Sequence, residues 1–441
     1  MGMHENVDGV AYTAASGATV DAFETFVSSY LGFRPETMDR LTDVLALDPD
    51  MPMAHIAKGC LLKLVGSRAS TQQAAAVVAE AGDRLDAGTE RERLHADALR
   101  KWIAGDMDGA TACWEQVLLQ APTDALALRL AHFTHFYSGD GRRIRDSVAR
   151  VLPDWQPEHR NYGFVQGMYA FGLEESREYA EAEKWGRAAV ERNPADAWSV
   201  HSVAHVLEMT GRAADGIQFV NKHQSAWSTV NNFRFHLFWH RCLYHLELGQ
   251  FDEALALYDT ELESAHENAY YLDICNSSSL LWRLECWGVD VGDRWAGVRA
   301  LAEEHVEDDD LIFVTLHYLM AMLSHGDQAG ADEMIGRIAK WTEAETTQGA
   351  VTRDIGLIVA KALADHRAGR YRDCVGRMVS ARYRMDALGG SMAQRDVFEM
   401  IMFDAARRSG DTVLTRSLLR ERAARKPHSP WAHDALEGMS L

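Results

Sequence analysis

The segment WSVHSVAHVLEM, residues 198–209, places ligand-type side chains at helical spacing. His201 and His205 are four residues apart, with Trp198 three residues before the first and Glu208 three residues after the second. Residues three and four apart share one face of a helix, so the four side chains form one stripe. Two histidines at this spacing can chelate one metal ion from a single helix.

A second group of such side chains follows further along the chain. His236, Trp239 and His240 lie within five residues of one another, and Asp273, Trp282 and His317 come later. His240 and a carboxylate can complete a histidine–carboxylate shell that suits zinc or ferrous iron. The candidate metal ligands are therefore His201, His205 and His240. Without a metal, a histidine held by Glu208 or Asp273 can act as a general base, and the candidate catalytic residues are His201, His205, His240 and Asp273.

An arginine–aspartate pair recurs in the C-terminal third, as Arg353-Asp354-Ile355 and Arg395-Asp396-Val397. One interpretation is structural: the aspartate caps the start of a helix and pairs with its arginine. The other is that Arg395 binds an anion, because a guanidinium binds carboxylates in a bidentate manner.

The positions of the turns indicate the architecture. Apolar residues recur at spacings of three and four almost throughout, which predicts an all-α chain without β-sheet. Turns of the GQFDEA type recur every 34 to 43 residues. They begin at positions 66, 105, 139, 177, 211, 249, 288, 326, 369 and 410. A helix–turn–helix unit with this period is typical of tetratricopeptide repeats.

We therefore predict an α-solenoid, a right-handed superhelix of about ten helical hairpins. Residues 1–35 are predicted to form an N-terminal cap, and residues 36–441 a single superhelical domain. The segments ALDPDMP, APTDA and RNPADA predict helix starts just before Met53, Leu126 and Trp198.

Counting from the turn glycines places the polar stripe on the concave face of the predicted superhelix. With Gly211 or Gly249 as position 15, the inward positions of two successive hairpins carry histidine, tryptophan and glutamate. These residues are predicted to line one cavity: Trp198, His201, His205, Glu208, His236, Trp239 and His240. The alternative is that the histidines are packing residues with satisfied hydrogen bonds.

Composition excludes several classes of function. The 441 residues carry a formal net charge of −20, which disfavours nucleic acid and anionic membranes as partners. The six cysteines include no C-x-x-C pair, which indicates reduced thiols. The N-terminus lacks the pattern of a signal peptide, so a cytoplasmic protein is expected.

Several unusual blocks, in one order, resemble the tetratricopeptide repeat protein 38 family. They are DAWSVHSVAHVLEM (196–209), WH (239–240), RDSVAR (145–150), GVDVGDRW (288–295), RDIGL (353–357) and GGSMAQRDVF (389–398). The resemblance covers about residues 21–430 and implies a shared polar set. That set is Trp198, His201, His205, Glu208, His236, Trp239, His240, Asp273, His317, Arg353, Asp354, Gln394, Arg395 and Asp396. The chain departs from the family at Arg241, where a second tryptophan can occur.

Three functions follow from these observations. The first is binding of a small molecule or a peptide end in a pocket lined by histidine, tryptophan and carboxylate. The second is an enzyme, a metal-dependent or histidine–carboxylate hydrolase or lyase, that uses the same pocket. The third is a scaffold for protein interaction. Beyond the candidate catalytic residues, the expected ligand contacts are Trp198, Glu208, His236, Trp239, Trp282, His317, Arg353, Gln394, Arg395 and Asp396.

Overall fold

The computed structural model describes residues 2–268, 270–324 and 328–438. These segments are helical apart from one antiparallel strand pair at the N-terminus, formed by β1 (Gly2–Glu5) and β2 (Ala11–Ala14). The all-α fold class is confirmed. The strand pair was not expected, because two four-residue strands joined at Gly9, whose φ is +75°, are too short to show a clear alternation.

The helices follow one another through short connections. The first twelve are α1 Gly17–Leu31, α2 Thr37–Leu47, α3 Pro52–Leu64, α4 Arg68–Ala81, α5 Glu90–Ile103, α6 Met107–Gln120, α7 Ala125–Tyr137, α8 Gly141–Val151, α9 Tyr162–Glu175, α10 Tyr179–Arg192, α11 Ala197–Met209 and α12 Ala213–Lys222. The next are α13 Gln224–Trp227, α14 Phe233–Glu247, α15 Phe251–Leu257, α16 Tyr271–Cys286, α17 Trp295–Glu304, α18 Ile312–Met322 and α19 Gln328–Trp341. The last are α20 Thr347–Val351, α21 Leu357–Arg367, α22 Tyr371–Ala381, α23 Met392–Arg408, α24 Thr412–Arg425 and α25 Pro430–Gly438.

Short segments of other helix types interrupt this series. The 3₁₀ segments are Gly82–Leu85, Leu152–Asp154, Glu263–Asn268, Gly292–Arg294 and Arg382–Leu388, and the π-helical ones are Tyr258–Leu262 and Thr352–Gly356.

The predicted turns separate helices at each described position. Glycines 66, 105, 139, 211, 249, 288, 369 and 410 all have positive φ, between +66° and +82°. Arg177 occupies the same position in its hairpin with φ +65°, although it is not a glycine. Position 326 lies outside the described residues. The helical-hairpin repeat is therefore confirmed, and the backbone conformation explains why glycine recurs.

The three predicted helix starts are also confirmed. The helices α3, α7 and α11 begin at Pro52, Ala125 and Ala197. Pro52 fits the first turn because a proline lacks the N–H that a helix start leaves unpaired. Asp124 caps α7 by accepting a hydrogen bond of 2.8 Å from the Ala127 N–H.

The chain divides into two compact units. The first comprises residues 1–202 and 226–231, and the second comprises residues 203–225 and 232–441. Phe23, Phe26 and Trp114 are fully buried in the first unit, and Tyr244 and Trp295 are fully buried in the second. The predicted single superhelical domain, its right-handed path and its N-terminal cap stay predictions.

Two further properties of the described chain bear on function. All six cysteines are buried and free of disulfides, as their scatter indicated. None of the described helices is both long and apolar enough to cross a lipid bilayer.

Candidate metal and polar site in the second unit

Three histidines of the second unit, His205, His236 and His240, form a compact buried cluster. The imidazole of His240 lies 4.6 Å from that of His205 and 4.8 Å from that of His236, between ring centroids. Each histidine has one ring nitrogen, Nδ1 or Nε2, that lies within 4.8 Å of such a nitrogen in each of the other two. All three side chains are at most 3% exposed, so the structure brings these three predicted residues together.

The helix α14 positions two members of this cluster and a tryptophan beside them. His236 and His240 are one helical turn apart and therefore share a face. The Trp239 ring lies parallel to the His236 ring, with 5.0 Å between centroids and 14° between planes. Its indole N–H donates to the Ser279 hydroxyl at 3.1 Å, which fixes the ring as a wall of the cluster.

Oxygen acceptors fix the orientation of two imidazoles. The Nδ1 atom of His240 lies 3.0 Å from Glu208 Oε2, and that of His236 lies 2.9 Å from Asn276 Oδ1. A carboxylate or amide oxygen only accepts, so Nδ1 carries the proton in both rings. In a neutral imidazole the lone pair is then on Nε2, the tautomer that a metal ligand requires.

Both rings are neutral at physiological pH. Burial holds both pKa values well below the ordinary value, and the repulsion between neighbouring imidazoles that would arise if both were protonated lowers them further, between His240 and His205 and between His236 and His240. The charges of Arg283 and Lys426 lower the pKa of His240 further. Neutral imidazoles can coordinate a metal without first releasing a proton.

A buried charge network lies beside the cluster. The Glu208 carboxylate, whose pKa is raised by burial, has Lys426 Nζ at 3.8 Å. Arg422 donates to both oxygens of Asp396, at 2.6 and 3.0 Å, and Lys426 lies 3.9 Å from the same carboxylate. Although burial alone raises the pKa of Asp396, the charges of Arg422 and Lys426 hold it well below its usual range.

A cavity of about 30 Å³ opens between these groups, lined by Glu208, Arg283, Asp396, Arg422 and Lys426 among others. This volume holds only about two water molecules. It therefore has room for solvent or a small ion next to the network.

Asp273 lies on α16, one turn before Asn276, which contacts the cluster. It falls within the first turn of this helix, which begins at Tyr271. Asn232 Nδ2 donates to its Oδ2 atom at 3.0 Å. Burial raises the pKa of Asp273 to about 7, against smaller opposing effects of Asn232 and the charge of Arg234. A carboxyl group with this pKa can exchange a proton at neutral pH.

His201 and Trp198 belong to the first unit, although they share α11 with His205. The imidazole of His201 lies parallel to the Phe171 ring at 5.5 Å and 5.0 Å from the Trp198 ring. The expected roles of His201 as ligand and catalytic residue, and of Trp198 as ligand contact, stay predictions.

Two other expected contacts have structural partners in the second unit. The Trp282 ring packs against Trp295 and His366 and lies under the guanidinium of Arg367, 4.1 Å away. His317 Nδ1 donates to the Phe313 carbonyl at 2.8 Å, and burial lowers its pKa to about 4. These contacts explain why Trp282 and His317 are buried. Their roles as ligand contacts stay predictions.

The arginine–aspartate pairs are placed differently from the capping interpretation. Ser391, not Asp396, caps α23, because its hydroxyl accepts from the Gln394 N–H while the Gln394 side chain accepts from the Ser391 N–H. Asp396 therefore lies inside the helix and pairs with Arg422 instead. Gln394 has this capping role.

Arg395 and Arg353 both bond to backbone carbonyls. Arg395 donates to the carbonyls of Gly389 and Gly390 and pairs with Asp386 at 3.0 Å. Arg353 lies on the exposed side of the π-helical segment and donates to the Thr342 carbonyl at 2.9 Å. The anion-binding role of Arg395 stays a prediction.

A second group with metal-ligand chemistry consists of Cys286, His366 and Asp404. The Asp404 carboxylate accepts from His366 at 2.9 Å and pairs with Arg407 at 2.6 Å and Arg408 at 2.7 Å. Burial raises the pKa of the Cys286 thiol, so it stays protonated. Two arginines already balance the carboxylate, so the three-histidine cluster is better suited to a cation.

The sequence analysis did not identify several residues that lie around the histidine cluster. Asn276 orients His236, and Lys426 and Arg422 complete the charge network from the far C-terminus. The single signal for Asn276 was its position, one turn after Asp273 on a predicted helix. Lys426 and Arg422 lie in an ordinary basic helix end, and nothing in their spacing indicates a buried partner.

Comparison with known proteins finds structural similarity at low sequence identity. No family model matches the chain. A chain in the crystal structure of the APC/C hetero-tetramer Cut9–Hcn1 has 11% sequence identity to this one. The match covers 95% of this chain and 74% of that chain, with a TM-score of 0.45. The human IFIT1 dimer with PPP-AAAA is 13% identical over 99% and 95%, with a TM-score of 0.42. Yeast Tom70 is 11% identical over 96% of each chain, with a TM-score of 0.30. Such similarities say nothing about function.

Proposed function

We propose that this tetratricopeptide-like repeat protein binds a divalent transition metal ion, zinc or ferrous iron, through His205, His236 and His240. The observation that carries the proposal is the pairing of His240 with Glu208 and of His236 with Asn276 through Nδ1. An oxygen acceptor on the second ring nitrogen is what metal-binding histidines nearly always have. Packing alone does not require two adjacent imidazoles to share this arrangement.

The geometry needs little change to accept an ion. Zinc–nitrogen bonds of about 2.0–2.1 Å place tetrahedral ligand atoms about 3.3 Å apart. The three nitrogens already lie within 4.8 Å of one another, so small rotations about the side-chain bonds suffice. Glu208 supplies a negative charge through His240, which offsets part of the charge of the ion.

Three protein ligands leave a position for a water molecule or a ligand donor. A carboxylate or amine of a small molecule, or of a peptide end, is the chemistry that such a position recognises. This deepens the binding function expected from the sequence. The resemblance to the tetratricopeptide repeat protein 38 family, and a cytoplasmic location, belong to this proposal.

Metal content tests the proposal directly. Purified protein, stripped with chelator and dialysed against zinc or ferrous iron under exclusion of oxygen, is expected to retain about one ion per chain by elemental analysis. His236→Ala and His240→Ala are expected to lose most of it, since each removes one of three ligands. His245→Ala is the matched control, because His245 lies on the same helix and contacts Gln250 instead.

Circular dichroism of each variant checks that the helical fold is kept. Wild-type protein that retains no zinc or iron, or histidine variants that retain as much as the wild type, would show that the histidines are structural. In that case a scaffold for protein interaction becomes the better-supported function.

A second candidate is a metal-dependent hydrolase or lyase, favoured by the pKa of Asp273. Three histidine ligands with an open position are typical of metals that activate water, and a carboxyl group of pKa about 7 can accept a proton at neutral pH. A metal-free histidine base is less suited, because burial keeps the pKa of His240 far below neutrality. Metal-dependent turnover of ester, amide or phosphoester substrates, lost in Asp273→Asn, is the test.

A further inference from the structure

The first unit buries an arginine among aromatic rings. Arg129 lies on α7 and is 1% exposed. Its guanidinium carbon lies 4.3 Å from the centroid of the Trp198 ring, 4.5 Å from that of Phe133 and 5.0 Å from that of Phe33. Cation–π contacts partly compensate for the loss of water, but they leave the N–H groups in the plane of the guanidinium available.

Two nitrogens of this guanidinium, Nε and Nη2, find no hydrogen-bond acceptor among the described residues. Asp196 is the carboxyl group whose charge acts on Arg129, but its oxygens accept from the Ser199 hydroxyl and, at 3.0 Å, from the Trp198 N–H. An arginine charge buried with unpaired donors is costly, so a site of this kind is expected to gain strongly from an anion.

Two further buried polar groups lie close to Arg129. The Tyr30 hydroxyl and both ring nitrogens of His132 have no hydrogen-bond partner among the described residues. Tyr30 lies near enough to act electrostatically on Arg129, and the charge of Arg129 acts on His132. Burial, followed by that charge, holds the pKa of His132 well below its ordinary value, so the ring is neutral with one N–H donor.

We propose that Arg129, Tyr30 and His132 form a binding site for the carboxylate of a small apolar or aromatic acid. The guanidinium binds the two carboxylate oxygens side by side, and the hydroxyl and imidazole N–H supply further donors. The rings of Phe33, Phe133 and Trp198 provide apolar contact for the rest of the molecule. One cationic group matches a carboxylate better than a phosphate dianion.

Phe33 supports a functional rather than a purely structural role. It has φ +53°, a left-handed conformation that a bulky residue rarely adopts. Its carbonyl accepts from the Asn231 N–H at 2.8 Å, a contact that holds the strained turn. Phe33 and Phe133 are only partly buried, so their rings reach the surface beside the buried arginine. Backbone strain of this kind is typical of ligand-binding positions.

This site is independent of the proposed metal site. Its residues all belong to the first unit, whereas His205, His236 and His240 belong to the second. A failure of one proposal therefore leaves the other standing.

Benzoate and benzamide form a matched pair of probes, since they differ mainly in charge. Calorimetric titration of the full chain is expected to detect benzoate binding at about millimolar concentration, and benzamide at least about tenfold more weakly. Arg129→Lys keeps the positive charge but removes the planar guanidinium that can bind both carboxylate oxygens. It is expected to weaken benzoate binding about tenfold. Tyr30→Phe removes one donor and is expected to weaken it several-fold.

Arg91→Lys is the control, because Arg91 is also a buried arginine of the same unit but already pairs with Asp124. It is expected to leave benzoate binding unchanged. Equal binding of benzoate and benzamide, no benzoate binding, or unchanged binding in both Arg129→Lys and Tyr30→Phe would overturn the proposal. Inorganic phosphate bound more tightly than benzoate would overturn the assignment to carboxylates. If Arg129→Lys fails to fold, the benzoate affinity of Tyr30→Phe tests the proposal in its place.

Discussion

Glu208 acts on the histidine cluster through a single hydrogen bond. Its carboxylate holds the Nδ1 proton of His240, at 3.0 Å, and thereby keeps the lone pair on Nε2. Such partners of metal-binding histidines affect the affinity for the ion without touching it. The proposed site is therefore sensitive to a residue that is not itself a ligand.

Glu208→Gln is expected to weaken metal binding by about 10- to 100-fold, because the amide still accepts the hydrogen bond but lacks the negative charge. Competition against a chromogenic chelator measures the affinity. Glu285→Gln is the control, since Glu285 pairs with Arg367 instead. Equal affinity in wild type and Glu208→Gln would mean that the carboxylate serves only to balance Lys426.

Asp273 is expected to make stability depend on pH in a direction unusual for a carboxyl group. Its pKa of about 7 is raised above the unfolded value of 3.8, so the folded state holds the proton more strongly. Its contribution is fully present at low pH and is lost as pH rises towards 7. The charged groups acting on it, principally Arg234, oppose this shift only in part.

Asp273→Asn removes this titration while keeping an acceptor for Asn232. The variant is expected to gain about 2 kcal/mol over the wild type between pH 5 and pH 7, at about 1.4 kcal/mol per pH unit while the wild type titrates. Urea unfolding at both pH values measures the difference. A difference that is the same at pH 5 and pH 7 would contradict a raised pKa in the folded state.

At the scale of helices and turns, the repeat is defined by one backbone conformation. Eight turn glycines and Arg177 share φ values between +65° and +82°. This is why glycine spacing predicted the hairpins, and Arg177 adopts the same conformation in the turn that lacks the glycine. The strand pair and the π-helical segments had no such marker, because short elements and local changes of helix pitch depend on tertiary packing.

Arg177→Gly is expected to stabilise the protein by about 1 kcal/mol, since a side chain in the left-handed region costs about 1–2 kcal/mol. Gly249→Ala tests the reverse change. An added Cβ there meets nothing within 4 Å, and φ is +68°, so only backbone strain acts. It is expected to destabilise by about 1 kcal/mol in thermal or urea unfolding. Arg177→Ala, which keeps a Cβ, is expected to give no gain.

On the scale of the molecule, contacts distant in sequence assemble the site of the second unit. The i,i+4 spacing of His236 and His240 could be predicted from the chain, since it depends only on the helix. The approach of Lys426 to Glu208 could not, because it joins the first and last hairpins of this unit. The same holds for Asp396 and Arg422, whose pairing replaced the expected cap.

The C-terminal segment closes the second unit against the turn after α11. The His428 N–H donates to the Thr210 carbonyl at 3.3 Å, and Ser429 contacts Glu247. An added Cβ on Gly211 would lie 2.5 Å from the Ser429 nitrogen, a backbone atom that cannot rotate away. The Gly211 turn therefore needs glycine for two reasons, its φ of +77° and this close approach.

Gly211→Ala is accordingly expected to cost more than Gly249→Ala, which has only the strained φ. Overpacking adds about 1–3 kcal/mol to the strain of about 1 kcal/mol, and the displaced segment carries Lys426 away from Glu208. Urea unfolding compares the two variants, and the exposure of the C-terminal segment follows from its rate of limited proteolysis. Equal destabilisation and equal proteolysis of both variants would show that the C-terminal segment does not pack against this turn. The closure of the second unit would then not hold Lys426 beside Glu208.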